Sequence, residues 1–144
     1  MLPGAVDALA RICGTGRDVI VVTNQSAIGR GLVAAETVDD IHGRFADLVE
    51  AAGGRIAGFL VCPHRPDEGC DCRKPAPGLF HQARRRLGVD LGNSVMVGDQ
   101  PSDIEAAKAA GCDVIRVDPE TIATVSDHPR VRSLAEAADL ICAG

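Results

Sequence analysis

The sequence predicts an α/β fold in which a doubly wound, mostly parallel sheet carries helices on both faces. Its apolar runs are short and β-branched, they are apolar throughout rather than alternating, and each leads into a segment of helical character. Strands that are buried on both faces have this composition, and parallel strands need a crossover helix between them. The chain has 144 residues, so we expect one domain, residues 1–144.

Four apolar runs and one weaker candidate are the expected strands. They are Asp18–Thr23, Ile56–Val61, Ser94–Gly98, Asp113–Val117 and, as a short fifth strand, Asp139–Cys142. Helices are expected at about 4–14, 35–52, 76–87 and 102–110. The last of these helices has Pro101 near its start and Gly111 after its end, the usual order of residues at helix termini. Residues 118–133 are polar and irregular, and no element is predicted there.

Composition narrows the range of partners. The chain is 46% hydrophobic, which is enough for a core, but it has three Phe and no Trp or Tyr. A net charge of −5 argues against nucleic acid as a partner, and so does the scarcity of aromatic side chains on which bases could stack. No signal peptide or apolar run of membrane length is recognisable, so we expect a cytoplasmic monomer that does not bind membranes.

Polar residues follow the first predicted strand, where ligands of doubly wound sheets bind. This strand ends at Thr23, and Asn24, Gln25 and Ser26 come next. Hydroxyl and amide side chains beside free backbone N–H groups can hold an oxyanion. The alternative is an ordinary polar turn, and the sequence leaves both interpretations open.

The segment after the second predicted strand carries a set of metal-binding residue types. Residues 62–74 read CPHRPDEGCDCRK, and residues 62–72 are the expected zinc loop. The four candidate ligands are Cys62, His64, Cys70 and Cys72. Three thiols and an imidazole form a complete tetrahedral zinc set. Because the spacing is tighter than in C-x2-C pairs, a disulfide from Cys62 to Cys70 or Cys72 is the main alternative.

Charged residues complete the candidate site. Lys74 can act as a point charge on a phosphoryl oxygen, and Arg73 can make bidentate contacts to a phosphate or a hydroxyl-rich substrate, unless the two are only a solvated pair. Asp99 ends the third strand and is a candidate magnesium ligand, with a helix cap as its alternative role. Asp103 falls in the first turn of the next helix, where it can orient a neighbour or favour the helix dipole.

Three motifs, in this order, resemble those of the haloacid dehalogenase-like phosphatase superfamily. They are TNQSAIGRG, CPH…CDCRKPAPG and MVGDQPSD, and the resemblance covers roughly residues 2–117. The zinc loop resembles that of the D-glycero-D-manno-heptose 1,7-bisphosphate phosphatases. The histidinol-phosphate phosphatases are similar and have the same loop.

The resemblance implies a phosphatase that hydrolyses a sugar phosphate through an aspartyl-phosphate intermediate, with Mg²⁺ and Zn²⁺ as cofactors. It implies that Thr23 and Lys74 stabilise the phosphoryl group, that Arg73 reads the substrate and that Asp99 holds magnesium. The residues implied to line the pocket are Asn24, Gln25, Ser26 and Gln100.

The superfamily's first motif, an Asp-x-Asp pair that supplies the nucleophile and the general acid, does not occur in this sequence. The resemblance implies that its strand would lie centrally, between Asp18–Thr23 and Ser94–Gly98. We therefore expect these two strands either to have unpaired edges or to pair with each other. The explanations are a misplaced start codon, which we favour, a truncated gene, or a non-catalytic protein that binds zinc or phosphate.

Overall fold

The computed structural model describes residues 4–24, 26–62, 70, 72, 74, 76–119 and 128–143, with backbone only at 26 and 27. The elements are α1 (Ala5–Cys13), β1 (Val19–Asn24), α2 (Ser26–Gly29), α3 (Ala35–Ala51), β2 (Ile56–Cys62), α4 (Gly78–Leu87), β3 (Val95–Gly98), α5 (Pro101–Ala110), β4 (Asp113–Val117), β5 (Arg130–Val131) and α6 (Leu134–Ala143). One 3-10 turn, Leu91–Asn93, precedes β3. No described helix is long and apolar enough to cross a membrane.

The four main predicted strands and four predicted helices are confirmed, and the predicted fifth strand is wrong. Residues Asp139–Cys142 lie within α6. Four alanines in that helix favour helical backbone, and two of them, Ala137 and Ala138, are fully buried. A short apolar run does not by itself distinguish a strand from a buried helix. The fifth strand is instead β5, in a region for which no element was predicted.

The described strands form two separate parallel sheets. Strand β1 pairs with β2, and Asn24 lies opposite Cys62 at their carboxyl ends. The second sheet has the order β3-β4-β5. Among the described residues no ladder joins β1 to β3, so the expectation of unpaired edges at these two strands is confirmed and the alternative, direct pairing, is wrong.

Strands β1 and β3 nevertheless run side by side and in the same direction. Near their amino ends, the Arg17 Nη1 atom lies 3.4 Å from the Asn93 carbonyl oxygen. Near their carboxyl ends, the Lys74 ammonium contacts both Val22 of β1 and Asp103, which follows β3. A cavity of about 520 Å³ lies between the two strands.

Helices cover both faces of the sheets, as the predicted doubly wound fold requires. Successive strand residues point to opposite faces. On one face Met96 of β3 packs in the cluster of Phe80 (α4) and Ile104 (α5). On the other face Val95 and Val97 pack in the cluster that includes Ala137 of α6. Apolar side chains pack against both faces of the strands, which explains why the strand sequences are apolar throughout.

Candidate functional site

The candidate site lies where the carboxyl ends of β1, β2 and β3 meet. Thr23 and Asn24 end β1, Cys62 ends β2, and Gly98 is the last residue of β3. Lys74 and Asp103 also lie at these strand ends. Lys74 follows the cysteine segment after β2, and Asp103 lies in the first turn of α5, after β3. The parallel topology therefore brings together residues that are up to 80 positions apart in the sequence.

Lys74 is the best-defined side chain of the site. Its ammonium lies 2.5 Å from the Asp103 Oδ1 atom and donates to the Val22 carbonyl oxygen at 3.4 Å. Only 11% of the Lys74 side chain and 7% of the Asp103 side chain are exposed. The Lys74 backbone N–H also donates to the Asn24 Oδ1 atom at 3.2 Å. Both the main chain and the charged end of this lysine are thus held in place.

Asp103 joins Lys74 to the start of α5. Its Oδ2 atom accepts a hydrogen bond from the Gln100 backbone N–H at 3.1 Å, and the Gln100 side chain accepts from the Asp103 N–H, forming a capping box. A Cβ atom placed on Gly98 would lie 2.6 Å from the Asp103 Cβ atom. Glycine at position 98 therefore allows the carboxylate to pack directly on the end of β3 and to face Lys74.

Two of the predicted ligand-binding residues are open to solvent at this edge. Asp99 and Gln100 are both exposed in the turn between β3 and α5. The half-buried Thr23 hydroxyl lies 3.4 Å from the Asn24 carbonyl oxygen. Predicted positions Gln25, His64 and Arg73, and the side chain of Ser26, lie outside the described residues.

Three of the four predicted zinc ligands form a compact thiol cluster. The Cys62 sulfur is 2.8 Å from that of Cys72 and 3.5 Å from that of Cys70, and all three sulfurs lie within 4.8 Å of one another. The three cysteines are free thiols, so they form none of the predicted alternative disulfides in this structure. Thiolates around one zinc ion, at about 2.3 Å from the metal, are separated by a little under 4 Å. The three sulfurs are close enough to share a single ion once the Cys62 and Cys72 sulfurs, which are 2.8 Å apart, separate by about 1 Å.

Burial sets the acid–base behaviour of Cys72 in this cluster. Cys62 and Cys72 are buried, and Cys70 is half-buried. Loss of solvent around Cys72, followed by its hydrogen bonds to Cys62 and Cys70, raises the pKa of the Cys72 thiol far above its ordinary value. Without a cation, the Cys72 side chain is therefore a neutral thiol, and a bound metal ion would stabilise its thiolate form.

Two contacts of the site could not be predicted from the sequence. Asn24 was predicted to line a substrate pocket, yet its side-chain oxygen accepts from the Lys74 backbone, 50 positions away. The Val22 carbonyl, a backbone group in an apolar strand, accepts from the Lys74 ammonium. Contacts of this kind depend on how distant segments meet, and residue type alone does not encode them.

The chain is similar to proteins of known family. The model of the HAD-hydrolase-like family matches residues 71–141. D-glycero-beta-D-manno-heptose-1,7-bisphosphate 7-phosphatase of Pseudomonas aeruginosa is 42% identical over 116 residues, which cover 81% of this chain and 65% of that protein. The enzyme of the same name from Rhodopseudomonas palustris is 34% identical, over 84% of this chain and 71% of its own length. The chain spans about two thirds of the length of these curated relatives, and slightly less for the first.

A solved structure is similar over nearly the whole chain. D,D-heptose 1,7-bisphosphate phosphatase from B. bronchiseptica, complexed with magnesium and phosphate, superposes with a TM-score of 0.87 at 34% sequence identity. The similarity covers 97% of this chain and 82% of the other.

Proposed function

Because the chain belongs to the HAD-hydrolase-like family, we propose that it is the phosphate-binding part of a magnesium-dependent phosphatase. The proposed substrate is D-glycero-D-manno-heptose 1,7-bisphosphate, the substrate in the names of the relatives. The relatives are named 7-phosphatases, so the proposed reaction cleaves the phosphate ester at position 7 of the sugar.

The observation that carries the proposal is the buried Lys74 ammonium at the meeting point of three strand ends. A fixed positive charge at a partly desolvated site stabilises phosphoryl oxygens more strongly than a mobile surface lysine does, because less solvent and less reorganisation oppose it. Asp103 and Asn24 act on Lys74 and hold it toward this edge. The Thr23 hydroxyl, at the end of β1, is the proposed second contact to the phosphoryl group.

The exposed Asp99 carboxylate is the proposed magnesium ligand. It follows β3, and carboxylate oxygens are preferred ligands of this cation. When bound, Mg²⁺ supplies positive charge that offsets the negative charge on the transferring phosphoryl group. Gln100 is exposed in the same turn and is proposed to line the substrate pocket together with Gln25, Ser26 and Arg73.

The proposed zinc site has a structural role. Cys62, Cys70 and Cys72 would supply three ligands and His64 the fourth. Zinc there would fix Cys72, which precedes Lys74 by two residues, so the metal would hold the segment that delivers the lysine. Small loops with few apolar residues often depend on a metal in this way.

The covalent step needs a carboxylate that the 144 residues do not offer in an Asp-x-Asp pair. In the implied reaction an aspartate oxygen attacks phosphorus, the bond from phosphorus to the sugar oxygen breaks, and a general acid protonates that oxygen. For the residues present, the proposal is therefore limited to binding the substrate and stabilising charge.

The test compares the 144-residue chain with an N-terminally extended version that carries an Asp-x-Asp strand. With Mg²⁺, the extended protein is expected to hydrolyse heptose 1,7-bisphosphate, whereas the shorter chain should not. Lys74→Met should lower kcat of the extended protein by about 10²-fold, as loss of one charge-stabilising group does in other enzymes. Lys108→Met, at an exposed lysine of α5, is the matched control and should leave kcat unchanged.

Each outcome has a separate meaning. Faster hydrolysis of histidinol phosphate than of the heptose bisphosphate would reject the proposed substrate and retain the phosphatase. Failure of the extended, folded and zinc-loaded protein on every phosphomonoester would reject the function itself.

A further inference from the structure

Two arginines lie side by side at the carboxyl ends of β4 and β5, outside the candidate site. Arg116 and Arg130 are paired positions of these parallel strands, and Gly98 of β3 is the paired position on the other side of Arg116. Neighbouring strands lie ~4.8 Å apart, so the two arginine side chains leave the backbone about that far apart. The sheet therefore holds two guanidinium groups in one row, next to the turn that carries Asp99.

Both arginines lie on the face of this sheet that α5 covers. Val117 and Val131, the residues that follow them, pack in the cluster on the α6 face. Successive strand residues point to opposite faces, so Arg116 and Arg130 share the other face. On that face Val114 packs in the cluster that α5 contributes to. The two guanidinium groups can therefore contact one ligand together.

The charge of this pair is not balanced within the described part of the chain. Arg116 is half-buried, and its Nε atom is buried without a hydrogen-bond partner. Arg130 is exposed on β5, at the edge of the sheet. Among the described residues neither guanidinium forms an ion pair, and this includes Asp118, the first acidic residue after β4. Like charges at paired positions repel, and a buried donor without an acceptor costs free energy, so an anion between the two groups would be stabilising on both counts.

From this arrangement we propose that Arg116 and Arg130 form a binding site for a phosphate group. Guanidinium groups bind phosphate oxygens in bidentate pairs, and a phosphate dianion carries the charge that two of them balance. The exposed Arg130 lets the anion enter from solvent, and the half-buried Arg116 attracts it more strongly because less water screens the charge. Inorganic phosphate and a phosphorylated small molecule both offer this group.

This phosphate site is separate from the candidate site around Lys74. Strand β3 lies between the two, because β4 and β5 are on one side of it and β1, which Lys74 contacts, is on the other. Arg116 lies one strand spacing from β3 and Arg130 lies two, roughly 5 and 10 Å. The proposal uses no residue of the candidate site and does not depend on the phosphatase activity.

The experiment titrates inorganic phosphate into the 144-residue chain at constant ionic strength. The readout is the NMR signal of each arginine Nε–H group, since a bound anion shifts the signal of the guanidinium that it contacts. The Arg116 and Arg130 signals are expected to shift and to saturate. Arg130→Gln, at an exposed position, should weaken phosphate binding at Arg116 about tenfold or more, as loss of one charge-assisted contact does. The matched control is Arg44→Gln, at an exposed arginine of α3, which should leave the binding unchanged.

Thermal unfolding gives a second measurement that does not rely on the NMR signals. A ligand that binds only the native state raises its Tm, so phosphate should raise the Tm of the unaltered chain by more than that of Arg130→Gln. Without phosphate, Arg130→Gln should be at least as stable as the unaltered chain, because the substitution removes a repulsion. Equal increases in Tm for the two proteins would overturn the proposal.

Two outcomes of the titration would also overturn it. Phosphate-induced shifts confined to the backbone signals of Thr23 and Lys74 would place the anion at the candidate site alone. An equal response of the Arg116 signal to chloride would show charge screening without a site. A second titration, with glucose 6-phosphate, identifies the source of the phosphate group: tighter binding than that of inorganic phosphate indicates a phosphorylated small molecule, and equal or weaker binding indicates free phosphate.

Discussion

Removal of the Asp103 carboxylate is expected to destabilise the fold more than removal of any solvent-exposed charged group. Asp103→Asn keeps the shape of the side chain and a hydrogen-bond acceptor for the Gln100 N–H, but it leaves the Lys74 ammonium without its charged partner. Only 11% of the Lys74 side chain is exposed, so water replaces little of the lost interaction.

The magnitude follows from the burial of both partners. Breaking a buried pair by removing one member costs about 3–5 kcal/mol. The Val22 carbonyl still accepts from Lys74, so the lower end applies, and we expect the free energy of unfolding to fall by about 3 kcal/mol. This is a large part of the roughly 5–15 kcal/mol that holds a domain folded. It corresponds to a decrease in Tm of roughly 10 °C for a chain of this size.

A double-mutant cycle separates the pair from its surroundings. Lys74→Met alone leaves the Asp103 carboxylate buried and should also destabilise, whereas the double variant removes both charges. We expect the double variant to lose about 2 kcal/mol less than the sum of the single variants. Urea unfolding followed by far-UV circular dichroism is the assay, since the chain has no Trp or Tyr for fluorescence.

Asp139→Asn is the matched control. The Arg11–Asp139 pair has the same 2.5 Å separation, but its side chains are 47% and 66% exposed, so its unfolding midpoint should hardly change. If Asp103→Asn were as mild as this control, or if the losses of the two single variants simply added, the buried ion pair would not be the contact that holds Lys74.

Two further predictions concern the residues around Lys74. Gly98→Ala would place a methyl group 2.6 Å from the Asp103 Cβ atom, and it should lower the free energy of unfolding in the same urea assay by about 1–3 kcal/mol. The control is Gly43→Ala, which should not destabilise α3 because no atom lies within 4 Å of the new methyl group. Equal losses at both positions would contradict the steric reasoning. Cys72→Ser should reduce the zinc content of purified, reduced protein well below one ion per chain, as measured by elemental analysis. Cys142→Ser, which lies outside the thiol cluster, should retain the ion. A zinc content near zero in the unaltered chain would reject the metal site.

The strands and helices that could be predicted are those whose sequences agree with a single local structure. Val19–Val22 and Val95–Val97 are apolar, mostly β-branched and half-buried. Pro101 and Gly111 bracket α5 as expected, with Gly111 in the left-handed conformation at φ 86°. The segment Asp139–Cys142 was predicted wrongly because a short apolar run fits two structures, and contacts of α6 with α1 and β4 decide between them.

In the candidate site, too, some positions could be predicted from the sequence and some contacts could not. Thr23, Cys62 and Asp99 could be placed from the sequence because they end or directly follow a strand, and residues there share one edge of a parallel sheet. Lys74 could be placed because it follows the cysteine segment. The partners of Lys74 could not be placed. Its contacts to Asn24 and Asp103 join positions 50 and 29 apart, and the sheet geometry alone creates them.

The gap between β1 and β3 affects how the native state is expected to open. No described backbone ladder crosses it, so helix packing and long side chains such as Arg17 and Lys74 must keep the two half-sheets aligned. Side-chain contacts of this kind break singly, unlike a hydrogen-bonded ladder, which breaks cooperatively. The first large-scale opening of the native state is therefore expected to be a hinge motion along this seam, with each half-sheet remaining intact.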